Sequence, residues 1–399
     1  MPDEILVIGG GFAGFWAAVA ARRVAGDRAA VTLVSREPVL QMRPRLYEAR
    51  PETLGVDLLP LLGSVGIRFV AGEATGLDVA GRRVAMRSGE RLSYGRLVVA
   101  AGSRMKRPAV EGADDAYSID TQEEAVAFDR RLQAVAATAT APTVAIVGAG
   151  FTGIELALEL RDRIAGHGGA TLGERARIVL LDRADVVGPE LGPGPRAEIE
   201  TALADARVEL KLAATVTGLA ANRVTLADGT VIAADAVVLT TGMTAAGFVG
   251  HLPGDRDALG RLIVDRTLRA SAAAGVFVSG DSAAVDTGDG HLALQSCQHA
   301  LQTGRFAGEN AARDLLGLPL LPYAQLRYVT CLDLGRSGAV LTQGWDRTVA
   351  QAGPATKALK LRINREVIYP PTTGSGDALL ALSSVDPADQ RPPAAPPAA

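Results

Sequence analysis

Cysteine is almost missing from this 399-residue chain, which holds only Cys297 and Cys331. Two thiols so late in the sequence exclude a disulfide framework and a metal site built on paired cysteines, and they fit a reducing, cytoplasmic compartment. The four histidines are scattered, and no metal site is drawn from them. Lysine occurs only at 106, 211, 357 and 360, so arginine carries the positive charge, a bias ascribed to coding composition. With 41 basic against 44 acidic residues the net charge is −3, which gives no general electrostatic footprint for nucleic acid, and no such partner is expected. No run of about eighteen apolar residues occurs, so no membrane-spanning helix is predicted. The start, Met1-Pro2-Asp3-Glu4, lacks the basic and apolar segments of a signal peptide.

What the chain does have is 48% apolar residues, enough for two or three well-filled domains, and two copies of one glycine pattern. Gly9-Gly10-Gly11-Phe12-Ala13-Gly14 follows the apolar run Ile5 to Ile8, and Gly148-Ala149-Gly150-Phe151-Thr152-Gly153 follows Val144 to Val147. In such a fingerprint the first glycine makes a tight turn and the second lets backbone amides approach a pyrophosphate. The third lets the next helix pack on the strand with its N-terminus facing the anion. Each copy precedes an Ala-rich helical pattern, Phe15 to Ala25 and Ile154 to Ile164, so two dinucleotides are expected on one polypeptide.

The halves repeat a plan. The first continues into a strand at Ala30 to Val34, short strands between Gly66 and Arg87, and a buried run Leu97 to Ala100 ending at Ala101-Gly102-Ser103. The second continues through Arg177 to Leu181, Val208 to Leu212 and Val224 to Leu226 to a buried run, Ala236 to Thr240, ending at Thr241-Gly242. A third buried run, Gly275 to Ser279, leads into Gly280-Asp281 and a helix from about Ser296 to Leu316. Beyond Gly376 the Ala- and Pro-rich composition predicts a disordered tail.

This order of motifs, with Val98 to Ser103, Leu239 to Gly242 and Phe277 to Asp281, resembles the FAD- and NAD(P)H-dependent oxidoreductases of the pyridine nucleotide-disulfide reductase superfamily. Within it the chain looks most like the type II NADH dehydrogenases, the non-pumping NADH:quinone oxidoreductases. Arg43-Pro44-Arg45-Leu46-Tyr47-Glu48, Gly153-Ile154-Glu155-Leu156-Ala157 and Gln298-His299-Ala300-Leu301-Gln302-Thr303-Gly304 carry that likeness over about residues 4 to 345. Cys297 replaces the alanine usual before Gln298. The resemblance implies an α/β fold of two Rossmann-like domains plus a small C-terminal α+β domain. Residues 1–115 and 244–320 would form the FAD domain, 116–243 the NAD(P)H domain, 321–376 the C-terminal domain and 377–399 the tail.

The same resemblance implies the site. Gly9, Gly11 and Gly14 would hold the FAD pyrophosphate, with Ala101, Gly102, Gly280 and Asp281 completing the pocket; Asp281 also reads as a helix cap. Ser35, with Arg36 beside it, stands where the family carries an acidic ribose ligand, and hydrogen-bonds a ribose less strongly. Gly148, Gly150, Gly153 and Gly242 would hold the nicotinamide dinucleotide, and Asp182 would favour NADH over NADPH, although Arg183 works against that preference. Glu155 would lie near the nicotinamide, or serve only as a helix-dipole carboxylate. Gln298 and Gln302 share one helix face and would line the acceptor side, or simply form a wet face. Lys357 to Tyr369 reads either as a basic surface for weak peripheral membrane contact or as a strand, and the family's membrane anchor is shortened.

The expected activity is therefore hydride transfer from NADH to FAD and two-electron reduction of a small-molecule acceptor, a quinone, in the cytoplasm, with a place at the inner face of the cell membrane left open. The alternatives are a soluble reductase or oxidase serving an iron–sulfur carrier, dioxygen or a biosynthetic small molecule, and a non-enzymatic flavin sensor. Self-association into a homodimer is left open. With both cysteines at or after residue 297, a dithiol relay of the glutathione-reductase type is excluded.

Overall fold

The computed structural model describes residues 3–372 and 374–385. Two five-stranded parallel sheets dominate, and each is built on one fingerprint. In the first, Glu4–Ile8 lies at the centre, with Ala30–Ser35 and then Arg68–Ala71 on one side and Arg96–Val99 and then Val276–Val278 on the other. In the second, Thr143–Val147 takes the central place between Arg177–Leu181 with Glu209–Lys211 and Ala236–Leu239 with Tyr117–Ser118. After its first residue each central strand is a buried apolar run, because both sheet faces are covered; in the second half one face packs against Leu219, Val224, Leu226 and Ile232 of a smaller antiparallel sheet.

The repetition extends to detail. Each half carries a three-stranded antiparallel sheet, Ala74–Asp78 with Arg83–Met86 and Arg91–Ser93, and Val216–Ala220 with Arg223–Leu226 and Val231–Ala233. Each has a register shift at its first strand, next to Gly76 and Gly218. Ser103–Met105 pairs antiparallel with Met243–Ala245, which laces together the ends of the two buried strands.

The helix Cys297–Leu315 lies along the first fingerprint helix, Phe12–Ala25. Gly304 and Gly308 make that closeness possible, because a Cβ at either would strike the backbone of Ala13 or Ala17. Ser296 caps the helix by accepting from the His299 backbone amide. Beyond it, Val329–Asp333, Ala339–Gln343 and Thr348–Gly353 form an antiparallel sheet covered by the helix Pro354–Arg362.

That last element corrects the expectation for residues 357–369: they form no strand, and of the four basic residues expected on the surface only Arg362 and Arg365 are exposed. Pro354 opens a helix, and its inward positions Thr356, Lys360 and Asn364 recur every four residues, a polar stripe that the apolar alternation of Leu359 to Ile363 conceals. Gly376–Leu382, expected within the tail, is also helical; Leu379 is buried and Ser383 accepts from Arg23. The rest of the expected tail, from residue 386, lies outside the described residues.

Candidate active site

The C-terminal ends of both central strands open into one continuous cleft of about 2280 Å³. Single small-ligand sites are typically about 300–1,000 Å³, so the cleft has room for more than one ligand.

At its first end, Gly9 turns with φ +110°, and a Cβ there would strike the Ala100 carbonyl; Gly148 repeats this with φ +113° against the Thr240 carbonyl. Gly14 and Gly153 leave no space for a Cβ beside the carbonyls of Gly9 and Gly148, which brings each helix onto its turn. The second glycines differ. Nothing lies within 4 Å of a Cβ built on Gly11, and the first helix has no side-chain cap, so its leading amides face open space, as a pyrophosphate requires. Over Gly150 lies the carboxylate of Glu190, which accepts from the Phe151 amide at 3.0 Å.

Gly9, Gly11, Ser35, Arg36, Ala101 and Gly102 line the first end of the cleft. Gly280 and Asp281 lie next to them. Asp281 is no helix cap: its carboxylate accepts from Ser103 Oγ at 2.6 Å, and burial raises its pKa against the opposing pull of Arg43. Arg43 in turn pairs with Asp120 and donates to Ser103 Oγ at 3.3 Å. The open amides, the space over Gly11 and this polar wall fit an FAD, whose pyrophosphate and ribityl chain need those donors and acceptors.

At the second end, Gly242 lines the cleft, whereas Gly148, Gly150 and Gly153 form the turn behind it. Asp182 also stands back from the wall. Its two carboxylate oxygens accept from the amides of Ala149 at 2.7 Å and Ala184 at 2.9 Å, so it braces the turn on which a dinucleotide would rest.

Between the two ends, Glu155 reaches the cleft from the second fingerprint helix, Phe151–Gly168. Its carboxylate pairs with Lys360 Nζ at 2.8 Å and accepts from the Asp333 amide at 2.9 Å, and only 3% of the residue is exposed. Burial pushes Glu155 up to about 7, even with the Lys360 ammonium beside it holding the value down. Burial works against the charge on Lys360 too, but Glu155 outweighs it and holds its pKa above the ordinary value. Lys360 also donates to the Cys331 carbonyl at 2.9 Å. Behind the pair, Asp333 accepts from Tyr47 Oη at 3.1 Å and pairs with Lys357, which reaches Glu159 at 3.6 Å. The two lysines expected on a lipid-facing surface are thus internal ion-pair partners.

Gln298 and Gln302 line the same stretch, with Leu301 and Arg305, all from one face of the helix Cys297–Leu315. Cys297 and Cys331 line the cleft as well; burial raises both thiols to about 11, so neither is a ready nucleophile. His299 turns away, stacking on Trp345 with Tyr328 tilted against it. Sequence reasoning read Lys360 as a surface cation and missed Asp333 and Glu190, which carried no local signal.

A cleft joining two duplicated dinucleotide folds, one with open phosphate-binding amides, defines a flavoprotein oxidoreductase that also takes a nicotinamide dinucleotide. Residues 3–304 match the family described as pyridine nucleotide-disulphide oxidoreductase. An NADH dehydrogenase-like protein of Mycobacterium tuberculosis is 41% identical over 391 residues, 96% of this chain and 98% of its own length. The demethylphylloquinone reductase of Synechocystis is 28% identical, with 85% and 86% covered. A type II NADH:quinone oxidoreductase of M. tuberculosis is 29% identical, with 70% and 66% covered. Among solved structures, the sulfide:quinone oxidoreductase of Aquifex aeolicus shares the fold at a TM-score of 0.75, with 18% identity and 96% and 92% covered. The chain belongs to the pyridine nucleotide-disulphide oxidoreductase family. It is an NADH-oxidising enzyme that binds FAD and NAD(H).

Proposed function

We propose that the enzyme passes two electrons from NADH, by way of FAD, to a quinone-type acceptor. Bound flavin supplies hydride acceptance and storage of the electron pair. The amides from Gly9 to Gly14 hold its pyrophosphate, Ser35 and Arg36 flank the adenosine end, and Ala101, Gly102, Gly280 and Asp281 close the pocket. The Gly148–Gly153 turn, braced by Asp182, receives NADH. Gln298 and Gln302 present amides to the acceptor. Glu155 holds a proton near neutral pH at the cleft wall, which a quinone needs on reduction, and Lys360 keeps the carboxylate side of that equilibrium within reach.

The buried Glu155–Lys360 pair carries this reading, because a carboxylate titrating near 7 beside the cleft suits proton delivery rather than packing. The named quinone reductases among the relatives support it. We divide the enzyme into an FAD domain on residues 1–115 and 244–320, a nicotinamide-dinucleotide domain on 116–243 and a C-terminal domain on 321–376.

A second reading keeps the same donor and cofactor but a soluble acceptor. It is favoured by the burial of Lys360 and the pairing of Lys357, which reduce the basic surface to Arg362 and Arg365. No helix among the described residues is long and apolar enough to cross a membrane. We place the enzyme on the cytoplasmic side, where its donor is, with weak peripheral membrane contact. Steady-state turnover of the FAD-loaded protein with NADH and short-chain quinones, ferricyanide or dioxygen separates the readings. Quinone turnover well above the others supports the first, and poor quinone turnover with rapid flavin reduction overturns it.

A further inference from the structure

The two fingerprints match in their first and third glycines and differ at the second. Over Gly11 the space is empty, while over Gly150 a carboxylate stands in the place that a nucleotide phosphate would take. That carboxylate belongs to Glu190, in the turn Pro189–Leu191. Its Oε1 accepts from the Phe151 amide at 3.0 Å, the first free amide of the second fingerprint helix. A Cβ on Gly150 would collide with it.

The turn is made to hold Glu190 there without locking it. Gly188, with φ +57°, donates its amide to the Ala149 carbonyl at 2.9 Å and ties the turn to the fingerprint. Leu191, 1% exposed, anchors the other side. Gly192 follows with φ +70°, so the acidic residue sits between two glycines in left-handed backbone conformations. Glu190 itself is exposed, so among the described residues nothing but its bond to the Phe151 amide is seen to hold the carboxylate over the fingerprint. Phe151 and Thr152, at the same helix end, line the cleft together with Glu190.

We propose that Glu190 is an internal anion that occupies the pyrophosphate position of the second dinucleotide site and must be displaced when NADH binds. The inference rests on the reading of the second fingerprint as the NADH site. The physics is a competition at one helix end. The partial positive charge and free amides favour one anion at a time, and two anions there repel. The FAD fingerprint has no such competitor, which suits a cofactor that stays bound. The NADH site has one, which suits a ligand that must leave after every hydride transfer. The carboxylate satisfies the amides in the free enzyme, weakens the hold on NAD⁺, and so limits product retention.

The test uses the FAD-loaded full-length enzyme and ADP-ribose, which has the pyrophosphate but no reducible ring. Calorimetry on the wild type, Glu190→Gln and Glu190→Ala reads the dissociation constant directly. The alanine variant should bind ADP-ribose about fivefold more tightly or better, with glutamine in between. The gain should shrink at high salt, because repulsion between two exposed anions is screened. Nicotinamide riboside, which has no pyrophosphate, should show no gain. Equal or weaker ADP-ribose binding by both variants, while the wild type binds it, overturns the inference alone. A wild type that binds no ADP-ribose yet keeps its FAD overturns the reading of the second fingerprint on which it rests.

Discussion

The Glu155 carboxylate and the Lys360 ammonium meet at 2.8 Å across the seam between the second fingerprint helix and the helix Pro354–Arg362, with 3% and 4% of the two residues exposed. They are 205 positions apart in a chain whose two other paired lysines are Lys211 and Lys357. A buried pair of this kind is weak evidence for stability, since removing both charges from water costs about as much as their attraction returns. Its position on the cleft wall gives it a different use.

Glu155 keeps its proton below about pH 7 and loses it above. Reduction of a quinone by the NADH-reduced enzyme should therefore slow as pH rises through about 7, and Glu155→Gln should flatten that step while FAD stays bound. Rapid mixing of reduced enzyme with acceptor across this range measures it. Because the folded-state value lies above the ordinary 4.5, the native protein holds the extra proton between 4.5 and about 7, and this contribution to stability falls as pH rises through that window.

Well above pH 7, where Glu155 is ionised in the native protein, Lys360→Met removes the cation beside a buried carboxylate and should cost up to about 3–5 kcal/mol of stability. The double variant Glu155→Gln with Lys360→Met should recover much of that loss. Denaturant titration of the FAD-loaded proteins checks both. Equal instability in the single and double variants would show that Lys360 acts through its bond to the Cys331 carbonyl instead.

Gly11→Ala should fold normally and lose FAD, since its Cβ meets open space in the protein but stands where the phosphates approach. Gly14→Ala should instead destabilise the protein by about 1–3 kcal/mol, because its Cβ strikes the Gly9 carbonyl. FAD content after purification and the midpoint of thermal unfolding distinguish the two effects.

Gln298→Ala and Gln302→Ala should impair quinone reduction and leave flavin reduction by NADH intact, because both face the cleft from one side of the helix that starts at Cys297. Separate measurement of the two half-reactions reads this. Slower flavin reduction would place the pair on the donor side.

The double change Cys297→Ser with Cys331→Ser should keep most of the turnover. Both thiols are held protonated, with burial raising them to about 11, so neither supplies a thiolate near neutrality. Loss of turnover with FAD retained would point to a sulfur-based step.

Local chemistry made much of the fold legible. Glycines that a turn and a close helix require must sit next to the strand they serve, so both fingerprints, the buried strands around them and the helix after Ser296 could be read from short windows of sequence. The duplicated plan followed from the same signals, because each copy repeats its motifs in order. The C-terminal stretch was harder. Lys357 to Tyr369 shows strand-like alternation, yet tertiary contacts with Glu155, Asp333 and Tyr47 favour a helix that buries its polar stripe.

The sequence by itself determined the class of protein, since phosphate-binding turns, buried strands and helix caps depend on residues a few positions apart. Only the tertiary structure decided how charge is distributed around the cleft. It turned Asp182 under the glycine turn, set Glu190 over the second fingerprint and brought Lys360 to Glu155. The reason is physical: the cost of burying a charge depends on which partner the fold delivers, and partners 205 or even 39 positions away leave no trace in a local pattern.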